Sequence, residues 1–224
     1  MTTDHLTPES FAAVVDHTLL KPEATEHDIT ELTHEGIRLG VAAVCVNPIW
    51  VPTVSALLSG TKVKTCSVIG FPLGASTTQV VAAQAQSAIG AGAQEIDMVV
   101  PLGWVKSGLW SQVEQHLQAI RQATQNALLK VIVESAALTK EEIVRVAHMS
   151  CDIGADYVKT STGFHPSGGA SLEAVKLLKA TIPQGVGVKA SGGIRTIDQA
   201  KAMLEAGATR LGLSATATII EQLQ

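Results

Sequence analysis

"YVKTS" at residues 157–161, "SLEAVKLLKAT" at 171–181 and "VGVKAS" at 186–191 decide the fold of this 224-residue chain. The first and third are short β-branched and apolar runs of the kind a buried strand uses, and the second spaces its apolar residues as a helix does. Strand, helix and strand in that order imply parallel pairing through a right-handed crossover. Each strand also carries a lysine, Lys159 and Lys189, where a buried strand has no ordinary use for a charge.

Working outward, the alternation continues almost throughout. Further strand-like runs lie at 12–18, 42–47, 63–72, 95–100, 129–135 and 210–214, which makes eight; the beginning of the first can equally finish a helix. Helical patterns occupy 25–40, 77–92, 109–124, 139–155 and 196–208. Thr139 with Glu142 has capping-box spacing, and Gly40, Gly90, Gly154 and Gly207 stand where helices should close. Eight such units in roughly 220 residues match the lower end of the (β/α)8 size range. A doubly wound sheet would carry a phosphate fingerprint after its first strand, and none is present. The expectation is therefore one α/β domain, a single (β/α)8 TIM barrel over residues 1–224.

Composition narrows the function. The chain is 46% hydrophobic and 16% charged, with a net charge of -4 and no block of like charges, so neither nucleic acid nor a membrane surface is an expected partner. The first twenty residues lack a basic segment followed by a long apolar one, and no run approaches the ~18 apolar residues of a membrane span, which suits a cytoplasmic protein. Three cysteines without CxxC spacing and seven histidines without HxH or HExxH spacing argue against a disulfide framework and against a metal or other cofactor. Only 3% of residues are aromatic, which disfavours a base-stacking platform and suits close helix-on-sheet packing through small side chains. A small-molecule substrate remains.

In such a barrel the functional face lies at the C-terminal ends of the strands. The polar residues falling there are Asp16, Thr18, Cys45, Asn47, Asp97, Glu134, Lys159 to Thr162, Lys189, Ser191 and Ser214. If Lys159 and Lys189 are in register, their backbones lie ~4.8 Å apart. Repulsion and desolvation should then lower the pKa of at least one. A neutral amine is a nucleophile suited to Schiff-base formation with a carbonyl substrate, and the second lysine stays protonated or passes protons. Asp97 supplies a carboxylate for the proton steps. Taken alone it fits a buried ion pair equally well, but one acid cannot neutralise both lysines.

The loops after the seventh and eighth strands offer Gly192 and Gly193 in "ASGGIRT" (190–196), and Gly212 and Ser214 in "RLGLSAT" (210–216), as a phosphate site, although each alone also fits an ordinary turn. Cys45 is a candidate contact at the mouth, with a buried inert thiol as the competing role. Glu134 is either a second acid or a structural hydrogen-bond partner, and His17 reads as a packed residue rather than a base.

Together "DHTLLKPEAT", "VCVNP", "VIGFPLG", "EIDMVV", "KVIVESAAL", "ADYVKTSTGF", "GVKASGGIRT" and "RLGLSAT" resemble the deoxyribose-phosphate aldolase family of class I aldolases over about residues 14–216. The resemblance implies a (β/α)8 fold and reversible cleavage of 2-deoxy-D-ribose 5-phosphate, a phosphorylated sugar, to D-glyceraldehyde 3-phosphate and acetaldehyde. It implies that Lys159 is the Schiff-base lysine, Lys189 its perturbing neighbour and proton-relay partner, and Asp97 the proton donor and acceptor. Asp16 and Thr18 match positions at the hydroxyl end of the substrate. Gly163, Gly192, Gly193, Gly212 and Ser214 match the phosphate loops, and Thr162 adjoins them as a further substrate contact. Phe164 and Ala215 stand where some members have a lysine and a serine, leaving Arg195 and Lys21 as substitute cations. No tyrosine closes the chain. A related aldolase for another phosphorylated aldol, or a phosphosugar-binding barrel without catalysis, are the alternative readings, and a homodimer through outer helices is expected.

Overall fold

The computed structural model describes residues 6–223; the expected domain also extends over residues 1–5 and 224, which lie outside the described residues. Eight strands form a closed, all-parallel barrel in sequence order: β1 (Val15–Leu19), β2 (Ala43–Val46), β3 (Lys64–Ile69), β4 (Glu95–Val99), β5 (Leu128–Ile132), β6 (Tyr157–Lys159), β7 (Gly187–Ser191) and β8 (Arg210–Leu213). β1 pairs with β8 as well as β2.

The helices between them are α1 (Pro8–Ala12), α2 (Glu26–Leu39), α3 (Val51–Leu57), α4 (Thr78–Gly90), α5 (Leu102–Lys106), α6 (Trp110–Ala123), α7 (Lys140–Asp152), α8 (Leu172–Thr181), α9 (Ile197–Glu205) and α10 (Thr216–Glu221). Among the described residues, no helix is long and apolar enough to cross a membrane.

All eight expected strands form, but shorter than their apolar runs. The 12–18 run starts late because Ala12 still belongs to α1, and β6 stops at Lys159. Past Lys159, Thr160 keeps backbone bonds to Lys189 and Ser135, and its hydroxyl adds a bond to the Ser191 carbonyl and accepts one from Ser191 N. Among the expected helix stops, Gly40 caps α2 in the left-handed conformation. Gly90 instead ends α4 from within, and Ala91 takes the cap position. Short α3, α5 and α10 escaped the pattern reading because five to seven residues hold too few apolar repeats to show a period.

Successive strand residues alternate faces, so each strand sorts its side chains into two populations. Outward go Val44, Ile96, Met98, Leu129, Val131, Val158, Val188 and Leu211, which join Ile29, Leu117, Ile120, Val146 and Leu178 of the helices in one buried cluster. Each such side chain stabilises the fold by roughly 1.5–3 kcal/mol. Inward go Asp16, Glu95, Asp97, Lys130, Lys159 and Lys189, all buried, beside a small apolar cluster of Leu20, Ala43, Cys45, Cys66 and Val68. The helix–sheet layer therefore carries the hydrophobic stabilisation and leaves the barrel interior free to be polar.

Thr139 caps α7 as its spacing suggests: its hydroxyl accepts from Glu142 N at 3.2 Å, and Glu142 Oε2 accepts from Thr139 N at 2.8 Å. Thr139→Ala should cost about 1 kcal/mol, read as a lower urea midpoint with an unchanged slope; a midpoint equal to that of the unsubstituted protein would show the cap to be idle.

Candidate active site

β6 and β7 pair so that Lys159 lies opposite Lys189 and Val158 opposite Val188. Both lysines point inward to Asp97 on β4, whose Oδ2 accepts from Lys159 Nζ at 2.8 Å and from Lys189 Nζ at 2.7 Å. A third lysine, Lys130 on β5, lies beside Asp97 in register and donates to its Oδ1 at 2.8 Å. Lys130 also meets Glu95 at 2.5 Å and Asp16 at 3.3 Å. Asp16 further binds Lys189 and, at 2.6 Å, Arg210. The interior thus holds three carboxylates, Asp16, Glu95 and Asp97, against four cations, Lys130, Lys159, Lys189 and Arg210.

The sequence reading paired Asp97 with two lysines and missed Lys130, Glu95 and Arg210. The signal was there: Lys130 interrupts an apolar run on the strand next to Asp97, and Glu95 shares a strand face with Asp97 at a spacing of two.

Burial opposes charge on every member, and the network decides each outcome. Asp97 is penalised by burial, yet Lys130, Lys159 and Lys189 hold its carboxyl well below the usual carboxylate range. Asp16 is depressed likewise, with Lys130, Lys189 and Arg210 outweighing its burial. Burial alone would lower Lys189, but the Asp16 and Asp97 carboxylates raise it above its ordinary value, and Lys130 is raised for the same reason. The expectation that repulsion would lower one of the paired lysines therefore does not hold for Lys189, because Asp16 supplies a second carboxylate. Lys159 has one carboxylate contact, on an oxygen it shares with Lys189.

Cys66 donates its thiol to Asp97 Oδ1 at 3.3 Å and accepts from Lys130 at 3.3 Å. Burial pushes the Cys66 thiol up, while a hydrogen bond with Cys66 lowers that of Cys45. Cys45, Cys66 and Asp97, and also Asp16, Cys66 and Glu95, lie close enough to share a metal ion. Lys130 already contacts Asp16, Cys66, Glu95 and Asp97, so a lysine ammonium serves these donors as their cation.

Above this layer opens a cavity of about 250 Å³ whose wall includes Lys159, Thr18, Thr162, Gly163, Gly192, Gly193, Gly212 and Ser214. Asp16, Asp97 and Lys189 lie beneath it, and Cys45 is fully buried in the interior apolar cluster, off the cavity wall. Lys21, Arg195 and Phe164 complete the rim, all solvent-exposed. Phe164 packs edge-on against Phe71 with ring centres 5.3 Å apart. A Cβ on Gly169 would collide with the Gly192 carbonyl, and one on Gly192, at φ 91°, would lie 3.1 Å from the Cα atoms of Gly163 and Gly169, so glycine at 169 and 192 lets these backbones meet. The hydroxyls after each lysine stitch β6 to β7: Ser191 N donates to Thr160 Oγ1 at 3.1 Å, and Ser191 Oγ donates to the Ser161 carbonyl at 2.5 Å. Thr18 Oγ1 turns back to the Asp16 carbonyl at 2.8 Å, and Asn47 donates to the Leu20 carbonyl at 3.1 Å. His17 points away from the barrel axis, held by Thr216 at 2.8 Å and Glu35 at 3.0 Å.

A lysine amine facing a cavity from above a fixed charge layer, beside backbone N–H groups, suits imine chemistry on a carbonyl compound bearing an anionic group. Comparison with known proteins points the same way. The family model described as DeoC/LacD family aldolase matches residues 11–219. The deoxyribose-phosphate aldolase of Mannheimia succiniciproducens is 49% identical, over 97% of this chain and 96% of its own length. That of Kocuria rhizophila is 49% identical over 97% and 99%. The tetrameric deoxyribose phosphate aldolase structure from Aeropyrum pernix is 36% identical, superposes with a TM-score of 0.90, and shares 98% of this chain and 94% of its own.

Acid should unfold the protein in two stages. Burial lowers His17 and His116 below the ordinary 6.5, so on acidification the unfolded chain takes up those protons first and stability falls below that value. Asp16 and Asp97 sit below the ordinary 3.8, so their contribution is complete above it and is lost as pH falls toward their folded-state values. Urea midpoints measured from about pH 8 to pH 3 should show a shallow decline followed by a steep one; a flat profile would contradict this assignment.

Proposed function

Because the chain belongs to the DeoC/LacD aldolase family, we propose that it reversibly cleaves 2-deoxy-D-ribose 5-phosphate to D-glyceraldehyde 3-phosphate and acetaldehyde through an imine on Lys159. It is an aldolase, a carbon–carbon lyase. The observation that carries the imine reading is the single carboxylate oxygen, Asp97 Oδ2, shared by Lys159 and Lys189.

Charge counting supports Lys159 as the nucleophile. With every group ionised, four cations face three carboxylates. Deprotonating Lys159 leaves three against three, and removes the cation with the fewest carboxylate contacts. Its neutral Nζ then attacks the C1 aldehyde of the open-chain sugar, and the carbinolamine loses water. The resulting iminium restores a positive charge opposite Asp97, in a site already arranged for one. It draws electrons from the C2–C3 bond. That bond breaks as the C3 hydroxyl gives up its proton, releasing D-glyceraldehyde 3-phosphate and leaving an enamine. Protonation at C2 and hydrolysis release acetaldehyde and free Lys159.

Asp97 Oδ2 links the two lysine amines at 2.8 and 2.7 Å, so a proton given up by the Lys189 ammonium has a two-step route to the substrate on Lys159, while the proton that Lys159 itself sheds leaves to solvent through the cavity. Because the lysines hold Asp97 ionised, it hands the proton on rather than keeping it. Asp16 keeps Lys189 charged. Thr18, above Asp16, faces the substrate hydroxyls, and the backbone N–H groups of Gly163, Gly192, Gly193 and Gly212, with the Ser214 hydroxyl and the adjoining Thr162, receive the phosphate. Cys45 packs in the interior beside Cys66 and Asp97 and does not reach the substrate. The three free cysteines and dispersed surface charge are consistent with work in the cytoplasm, and a homodimer through the outer helices is the assembly we infer.

Borohydride reduction in the presence of acetaldehyde should add an ethyl group of ~28 Da to Lys159, located by mass spectrometry of peptides. An adduct on another residue, or none, refutes the assignment. Lys159→Leu should abolish turnover while leaving the circular dichroism spectrum of a folded barrel, whereas Lys130→Met should lower stability by about 3–5 kcal/mol through unpaired buried carboxylates. A Lys130→Met protein as stable as the parent would remove Lys130 from the network.

A further inference from the structure

Glu134 is the one non-glycine residue with positive φ among the described residues, at φ 55° and ψ 59°. Its side chain is fully buried just past the end of β5. A left-handed non-glycine residue costs about 1–3 kcal/mol, and such outliers collect where function constrains the backbone. Glycine at this position would relieve the strain, so the carboxylate itself is what the position requires.

That carboxylate holds one residue. Its two oxygens accept from Thr162 N at 3.2 and 3.3 Å, and Oε2 also accepts from Thr162 Oγ1 at 2.5 Å. Thr162 Oγ1 in turn accepts from Phe164 N at 3.1 Å. No lysine, arginine or histidine pairs with Glu134 among the described residues. The bonds stretch from β5 across to the loop after β6 and clamp Thr162 to Phe164. They seat Gly163 against Gly192, the contact between the two cavity loops.

The lysine is held by other means. Val133 N donates to the Lys159 carbonyl at 3.0 Å, Thr160 N donates to the Lys189 carbonyl at 2.9 Å, and Ser135 N donates to the Thr160 carbonyl at 2.8 Å. None of these uses the Glu134 side chain, so its loss would release Thr162 and Gly163 and leave Lys159 in the ladder.

We propose that Glu134 is a positioning residue that sets the phosphate end of the cavity, acting through Thr162 to fix Gly163 against Gly192. The inference rests on the imine-aldolase reading for its ligand, a phosphate monoester, and assigns Glu134 to recognition of that group rather than to proton transfer.

Calorimetric titration with glycerol 3-phosphate reads the cradle without turnover. In folded Glu134→Gln and Thr162→Val proteins its Kd should rise about tenfold, and the double variant should bind no more weakly than the poorer single variant, since both break one linkage. Thr162→Ser keeps the hydroxyl and should stay within about twofold of the parent. If Glu134→Gln fails to fold, the Thr162→Val and Thr162→Ser pair decides. Unchanged affinity in Thr162→Val, or equal weakening in Thr162→Ser, overturns the proposal. A borohydride trap on the same preparations keeps the two readings apart. Absence of the imine in the parent alongside the affinity shift refutes the aldolase reading and leaves Glu134 in place. A normal imine without the shift refutes the role of Glu134 alone.

Discussion

Asp97 is the charge on which the interior depends. Its two oxygens meet three lysine amines between 2.7 and 2.8 Å, from β5, β6 and β7. A buried carboxylate of this kind is costly alone, and buried lysines are costly alone, so each exists because of the others. Desolvation sharpens the attraction that repays it, since no water competes for the same atoms. Asp97 therefore joins three strands electrostatically while the surrounding helices join them by apolar contact, and the two kinds of stabilisation lie on opposite faces of one sheet.

The fold was legible because period two and period 3.6 alternate cleanly along the chain, and the sheet's two faces follow from the first of these. Lys159 and Lys189 could be placed side by side from sequence because their strands are consecutive and each lysine stands at the same depth in its run, a register the pairing of Val158 with Val188 makes real. Lys130 was equally readable by the same rule, yet it begins its run rather than ending it, and attention to strand ends passed over it. Glu95 and Arg210, lower in the barrel, were missed for the same reason. The left-handed backbone of Glu134 was not legible at all. It depends on where β5 stops and where Thr162 arrives from β6, and neither follows from local pattern.

Layering by depth separates two tasks that would otherwise interfere. A phosphate needs positive potential, and a nucleophilic amine works only when neutral. Fixed cations crowded around a lysine favour its neutral form, whereas a phosphate dianion brought equally close favours the ammonium. In this barrel Lys189 lies beside Lys159, Asp97 and Lys130 lie beneath it, and the glycine turns lie above on the cavity wall. Backbone N–H groups attract an anion through partial charges, close to it and weakly elsewhere. The full charges at the rim, Lys21 and Arg195, are exposed and screened by solvent.

The glycines follow from that division. Binding an anion through main-chain donors requires the main chain to come close to it, and two loops must do so together for the donors to converge. Gly192 packs backbone to backbone against Gly163 and Gly169, and a Cβ on Gly169 would collide with it. Contacts so tight cannot be maintained by flexible loops, whose entropy would spread them apart. Something rigid must hold at least one of them, and Glu134, fully buried just past the end of β5, bonds to the loop that carries Gly163. A left-handed Glu134 there, bonded three times to Thr162, ties the loop after β6 to the chain just past β5.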